Sequence, residues 1–295
     1  MRTRIAAGAS AAIVLGLLVA DTGGQAPARA TIVGWNILGV DPIPAARAKR
    51  VAAVLRQLDP DLAVLTEVNP DQAASDIATA LGPAYQPPVI LAQQATVVQN
   101  IAFVFKTGVQ VSNARLIDGT DLAEEPRSRR VLTANVTIGQ FDFVLLGLHL
   151  KSGRTSTNRA QRSRQCTRIN AFINEATAGA EKDVLVVGDY NMIPREGETR
   201  NDEVNFFAMS PGNFLRFLSS DFLAGRTSHI SGCNPLRGNL LDGFAISRVH
   251  TREHVAGSLR LVTFSQLGTN CFAYSKGVSD HLPVVARFRI DKDDD

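Results

Sequence analysis

The 295-residue chain is poor in the residues that build thiolate metal centres. It holds three cysteines, Cys166, Cys233 and Cys271, and no two of them stand at the CxxC spacing of a zinc ribbon or an iron–sulfur ligand set. Aromatic side chains are also scarce, at 6% of the residues with Trp35 the single tryptophan, so little material exists for an extended stacking platform or an aromatic membrane belt. There is no low-complexity tract and no repeat at a solenoid period. Strong net charge is missing as well: the formal value is +3.

Long hydrophobic runs are limited to one, Ile5 to Ala20, which is short for a bilayer span of about 20 residues and is not followed by a basic stop-transfer cluster. Arg2 and Arg4 precede it, and Ala28-Arg29-Ala30 supplies a small-x-small pattern, so residues 1–30 read as a cleaved signal peptide. Cleavage after Ala20 is the alternative, because Thr31 already begins a strand. Losing residues 1–30 removes three arginines and one aspartate, taking +3 to +1. The expected product is a secreted, extracellular or periplasmic monomer without stable membrane insertion. In an oxidising compartment the cysteines can pair. Cys233–Cys271 is favoured because both lie in polar loops ahead of strand-like runs, with Cys166–Cys233 left open.

What is present is the ordinary material of a globular fold, 45% hydrophobic and 20% charged. Runs rich in β-branched residues mark strands at 31–37, 62–65, 101–105, 131–138, 141–150, 184–187, 240–247, 259–264 and 284–290. Gly139-Gln140 joins two of them as a hairpin turn, so the sheet content is not purely parallel. Val51, Val54, Leu55 and Leu58 recur at helical spacing behind Pro44; 71–81 and 159–176 give two further helices. Mixed strands, hairpins and helices suggest two sheets packed face to face with helices outside. No Pro/Ser-rich linker divides residues 31–290, so one domain is expected, followed by an acidic tail at 291–295.

Polar residues close the apolar strands: Trp35-Asn36, Thr66-Glu67, His149, Gly188-Asp189-Tyr190-Asn191, Asp242 and Ser279-Asp280-His281. Each has a plain structural explanation on its own, such as an Asx turn at Asp189 and Asn191. Together they describe a rim of carboxylate, amide and imidazole groups. Oxygen donors of this kind suit Mg²⁺, Mn²⁺ or Ca²⁺. Two histidines beside such an ion suit phosphoester cleavage, with Asp242 able to orient one of them.

This ordered set, with His149-Leu-Lys-Ser152, resembles the endonuclease/exonuclease/phosphatase superfamily from about Thr31 to Ile290. The resemblance implies an α/β fold, a four-layer α/β/β/α sandwich of two mixed, largely antiparallel sheets. It also implies Glu67 as principal metal ligand with Asp280 and Asn36, and Mg²⁺ as the cofactor, with Mn²⁺ or Ca²⁺ as alternatives. Asp189 would align water, Asn191 would contact the scissile phosphate, and His149 and His281 would serve phosphate and leaving group. Asp242 would partner His281, although Gly243 stands where family members often carry histidine, so this role depends on strand register. Asn36, Lys151 and Arg130 would bind substrate phosphate. The basic groups Arg127, Arg129, Arg130 and Arg154, Arg159, Arg162, Arg164, Arg168 are either phosphate-binding or solvated faces.

Among family substrates, inositol polyphosphates are disfavoured because 187–192 and 240–243 lack the tryptophan and arginine of those enzymes' motifs. Nucleic acid is the expected substrate, contacted through its backbone. A sphingomyelinase-type or other phosphoesterase is the alternative, and an inactive binding module the third reading.

Overall fold

A computed structural model describes residues 28–39, 42–93, 99–125, 128–192, 208–223, 226–233 and 238–293. The apolar run Ile5–Ala20, Arg127 and the last two aspartates lie outside the described residues. The strands are β1 (Arg29–Asn36), β2 (Leu62–Val68), β3 (Val89–Ile90), β4 (Asn100–Phe105), β5 (Val109–Leu116) and β6 (Leu132–Ile138). They continue with β7 (Phe141–His149), β8 (Val184–Asp189), β9 (Leu215–Phe217), β10 (Asp242–Ser247), β11 (Arg260–Leu261) and β12 (Val284–Arg289). The helices are α1 (Ala45–Leu58), α2 (Gln72–Leu81), α3 (Ser156–Ala176), α4 (Leu218–Leu223) and α5 (Cys271–Gly277).

Two six-stranded sheets form, in the orders β11-β12-β1-β2-β4-β3 and β5-β6-β7-β8-β10-β9. Each contains one parallel pair, β1–β2 and β7–β8, and is otherwise antiparallel. Period-two alternation sends Ile32 of β1 into the core shared by the sheets, and Val33 and Trp35 into the core under α1 and α2. Helix α3 buries Cys166, Ile169, Phe172 and Ile173 against the second sheet's side of the core. The expected sandwich is therefore what the chain builds.

The sheets come close because two positions carry no side chain. A Cβ at Gly147 would lie 2.7 Å from Phe103 and 2.9 Å from Ile101, and one at Gly34 would lie 2.7 Å from Val187.

Several boundaries differ from expectation. Strand β1 starts at Arg29, pairing Arg29 with Arg289, two residues before Thr31. Strand β5 was not expected: its residues are mostly half-exposed or exposed, half of them are polar, and Asn113 at φ 53° interrupts it where its register shifts. The run at 259–264 pairs only at Arg260–Leu261. Cys233 and Cys271 form a disulfide, and Cys166 is a buried free thiol. No helix among the described residues is long and apolar enough to cross a membrane.

Candidate active site

Strand direction explains why the polar ends meet. Strands β1, β2, β7 and β8 run towards the same rim and present Asn36, Glu67, His149 and Asp189 at or near their C-terminal ends. Strands β10 and β12 run antiparallel to their neighbours, so Asp242 and the segment 279–281 enter that rim from their N-terminal ends. Alternation carries the inward face of β1 from Ile32 through Gly34 to Asn36, and that of β7 through Gly147 to His149.

Glu67 requires more than alternation. Ala63 and Leu65 face the helices, and a regular strand would send Glu67 the same way. A register shift between Leu65 and Val68, with Glu67 at φ 59°, turns its carboxylate inward instead. A non-glycine residue in this conformation carries strain of about 1–3 kcal/mol, the kind often stored at functional sites.

Asn36 is buried, and its Nδ2 donates to Glu67 Oε1 at 3.0 Å and to Asp189 Oδ2 at 3.1 Å. Its Oδ1 accepts the Leu38 N–H at 3.0 Å, so the amide nitrogen faces the carboxylates and orders them. As a metal ligand Asn36 is thus misoriented, since the oxygen a cation needs is turned to the backbone. Gln99 Nε2 donates to Glu67 Oε2 at 3.0 Å. His149 is paired with Asp189 in the β7–β8 ladder, its Nε2 lying 3.5 Å from Asp189 Oδ2 and 3.8 Å from Glu67 Oε1. Burial, then the charges of Arg129 and His281, hold the His149 imidazole well below its usual range, so it is neutral. Burial and the facing Asp242 push Asp189 up to about 7. Asp189 Oδ1 also accepts the Asn191 N–H at 3.0 Å, so the Asx turn exists alongside the site contacts. Asn191, at φ 54°, donates its side-chain amide to the Leu150 carbonyl at 3.1 Å.

The second half of the rim is built on 279–281. Ser279 Oγ donates to the Asn36 carbonyl at 2.7 Å and accepts the His281 N–H at 2.9 Å, which ties the triplet to β1. The His281 carbonyl accepts from Trp35 Nε1 and from the Tyr274 hydroxyl, both at 2.9 Å. Its ring Nδ1 lies 2.6 Å from Asp242 Oδ2. Burial opposes a charge there, but Asp242, with Asp189 and Asp280, raises His281 to about 10 and keeps it an imidazolium. Asp242 stands opposite Asp189 in the β8–β10 ladder, so the register that its role required is the one formed. Asp280 is held below the usual carboxylate range by His229 and His281 despite burial that works the other way.

His229 is the residue that sequence reasoning missed. Its Nε2 lies 3.5 Å from Asp280 Oδ2 and its ring centroid 4.8 Å from that of His281. No motif surrounds it; it arrives through β-bridges to Asn239 and to His281. The only signal was the flanking polar stretch before Asp242.

Lys151 and Arg130 divide. Lys151 lines a cavity of about 380 Å³ together with Gln99, Arg129, His149 and Gln165, and pairs with Glu125 at 3.0 Å. Arg130 turns away to Asp118 at 3.1 Å and Asp121 at 3.2 Å, because consecutive residues of an extended chain face opposite sides. Arg129 takes the position expected of Arg130, bonded to Gln99 Oε1 at 2.6 Å. The arginines of α3 do not form a phosphate patch: Arg162 is buried and donates to the Lys151 and Gly153 carbonyls, and Arg164 pairs with Glu124.

The donors suit a hard divalent cation. Glu67 offers a carboxylate between two amide donors, and Asp280 Oδ1 and Asp242 Oδ1 are buried without a hydrogen-bond partner. His229, Asp280 and His281 bring ligand atoms within 4.8 Å of one another, as do Asp189, Asp242 and His281. Glu67 stands in neither of these groups, on the Asn36 and Gln99 side of the rim.

The fold has counterparts among known proteins. The profile of the Endonuclease/Exonuclease/phosphatase family matches residues 33–281. The fold is similar to truncated Caenorhabditis elegans TDP2, at TM-score 0.64 and 19% identity over 88% of this chain and 98% of that one. It is similar to D. rerio TDP2 complexed with single strand DNA product, at TM-score 0.64 and 18% identity with the same coverage. An endonuclease/exonuclease/phosphatase from Bacteroides vulgatus superposes at TM-score 0.62 and 14% identity, again over 88% and 98%. No curated protein sequence matches the chain significantly.

Proposed function

Since the chain belongs to the Endonuclease/Exonuclease/phosphatase family, whose members are metal-dependent phosphodiesterases and nucleases, we propose that it is a secreted, monomeric nuclease that hydrolyses phosphodiester bonds of nucleic acid. The observation that carries this reading is the convergence of Asn36, Glu67, His149, Asp189, Asp242 and His281 beside a cavity walled by Arg129 and Lys151.

Glu67 and Asp280 would hold the divalent cation, Mg²⁺ by preference, with Mn²⁺ or Ca²⁺ as substitutes. Once bound, the ion supplies Lewis-acid charge to the phosphoryl oxygens. Asp189, poised at about 7 by burial and Asp242, accepts a proton from the attacking water near neutral pH. Asn36 holds that carboxylate in place from one side. His281, kept charged by Asp242, donates to a phosphoryl or leaving oxygen. His149, neutral, hydrogen-bonds the phosphate from the β7 side, and Asn191 contacts it through its remaining amide capacity. Arg129 and Lys151 neutralise an adjoining phosphate, a contact that positions a strand without reading its sequence. The D. rerio relative's single strand DNA product supports a nucleic-acid substrate. The disulfide and the leader of residues 1–30 support export.

The test is a panel of plasmid DNA, single-stranded DNA, RNA, a dye-linked phosphodiester and sphingomyelin, with and without chelator. Chelator-sensitive cleavage of nucleic acid that disappears in Asp189→Ala is expected. Cleavage of the lipid alone would replace the proposal with the sphingomyelinase-type reading.

A further inference from the structure

We propose that a second cleft, on the far side of the catalytic rim from Arg129, is a subsite for a nucleotide flanking the scissile phosphate, with Arg226 and Arg260 taking its phosphate and Leu259, Leu261 and Leu282 its base. The proposal rests on the nuclease reading and adds a binding locus to it.

The cleft has a volume of about 600 Å³, within the range of small-molecule sites. It opens where the sheet edges meet, between β11 of the first sheet and α4, which follows edge strand β9 of the second. Its apolar walls include the buried Leu223, Leu259 and Leu282, with the ring of Phe222 partly exposed at the margin. Arg226 and Arg260 stand exposed on the same cleft, and neither guanidinium has an ion-pair or hydrogen-bond partner among the described residues. That sets them apart from Arg130, Arg164 and Arg216, each paired with a carboxylate. Gln266 uses its Oε1 to accept the Thr263 N–H at 2.9 Å, which leaves its amide N–H groups as donors. Two unneutralised cations beside leucine side chains in a mostly polar cleft match an anion that carries a flat, poorly solvated ring. A nucleotide is such a group, and stacking or apolar cover of a base with backbone neutralisation is how single strands are held without sequence preference.

The location connects the cleft to the chemistry. Leu282 follows His281, and its N–H donates at 2.8 Å to the carbonyl of Ser228, the neighbour of His229. Consecutive side chains of an extended segment face opposite sides, so His281 enters the catalytic rim and Leu282 the cleft. The strand orders put the Arg129–Lys151 cavity beside β4 and β7, and this cleft beside β12 and β9, on either side of the central β1–β2 and β8–β10 pairs. A strand crossing the rim from one cavity to the other would place its backbone at the carboxylates midway.

The experiment uses the full chain and an end-labelled single-stranded oligothymidylate of about 12 nucleotides. Fluorescence anisotropy in chelator, where cleavage is prevented, gives Kd as a function of salt. The Arg226→Ala/Arg260→Ala variant is expected to bind roughly tenfold more weakly, with the log Kd–log salt slope reduced by about 0.7, the value for one lost phosphate contact on a single strand. Its Mg²⁺-dependent hydrolysis of bis(p-nitrophenyl) phosphate, too small to reach the cleft, should stay within about twofold of the parent and so report an intact fold. An Arg226→Lys/Arg260→Lys variant should recover most of the binding. Unchanged Kd and slope in the alanine variant would overturn the subsite, as would oligonucleotide binding that survives while binding to phosphatidylglycerol vesicles is lost. A parent protein that binds the oligonucleotide in the cleft yet cleaves no nucleic acid with Mg²⁺ would uphold the subsite and remove the nuclease reading; a parent that cleaves nucleic acid but binds no oligonucleotide would overturn the subsite alone.

Discussion

At the scale of single residues the site is organised by proton affinities that neighbours have moved apart. His281 is raised to about 10 with Asp242 the principal support, while His149 is driven the opposite way by burial and by Arg129. Two imidazoles within one rim thereby hold different protonation states at neutral pH, a charged donor and a neutral partner. Replacing Asp242 with asparagine removes the principal charge that supports the imidazolium, leaving Asp189 and Asp280 alone to offset burial, which favours the neutral ring. The expected outcome is that the His281 titration moves down from about 10, as read by NMR of the imidazole protons. Turnover should fall about 10²- to 10⁴-fold, the range for loss of a positioned acid or its orienting group. A His281 titration left unmoved in this variant would show that Asp189 and Asp280, not Asp242, support the charge.

At the scale of elements the glycines set how closely the sheets stack. Gly147→Ala would force a methyl group against Phe103 and Ile101, and is expected to destabilise by about 1–3 kcal/mol in a denaturant titration. A smaller effect would mean that β7 can shift outward, and then His149 should lose activity with it. Most of this level was legible in the sequence, since strong apolar strands with polar ends announce themselves by composition. Strand β5 did not, because the bulge at Asn113 shifts the phase of its short alternation between Val109-x-Val111 and Ala114-x-Leu116. The inward turn of Glu67 was equally hidden, as a bulge changes direction without changing residue type. Arg129 and Arg130 show the same limit: a basic cluster indicates charge near a site, but one residue of register decides which guanidinium faces it. His229 depended on a bridge between segments 52 residues apart, which no local pattern encodes.

At the scale of the whole molecule, two features tie distant segments together. The Cys233–Cys271 disulfide spans 38 residues between the loop preceding Asp242 and helix α5. Its removal by Cys233→Ser/Cys271→Ser should lower stability by about 4 kcal/mol in the chain-entropy account, measured as a shift in the denaturation midpoint. His254, bridged to Phe288 and in contact with Phe222, is lowered to about 4 by burial and by Arg216. Its unfolded value is about 6.5, so between the two the unfolded chain binds more protons than the folded one. Stability is therefore whole above about pH 6.5 and declines as pH falls towards 4, and His254→Asn should flatten that decline in urea titrations across the range.

The scarcity of tryptophan gives the molecule a built-in optical reporter. Trp35 is wholly buried beneath α1 and α2, and its indole N–H is bonded to the His281 carbonyl, on the backbone that carries the charged imidazole. All tryptophan emission therefore originates one hydrogen bond from the catalytic rim. Loosening of the 279–281 segment, by chelator, by mutation or by heat, should shift that emission to the red before the helices melt. The chain can thus be followed by fluorescence through each of these treatments without a label.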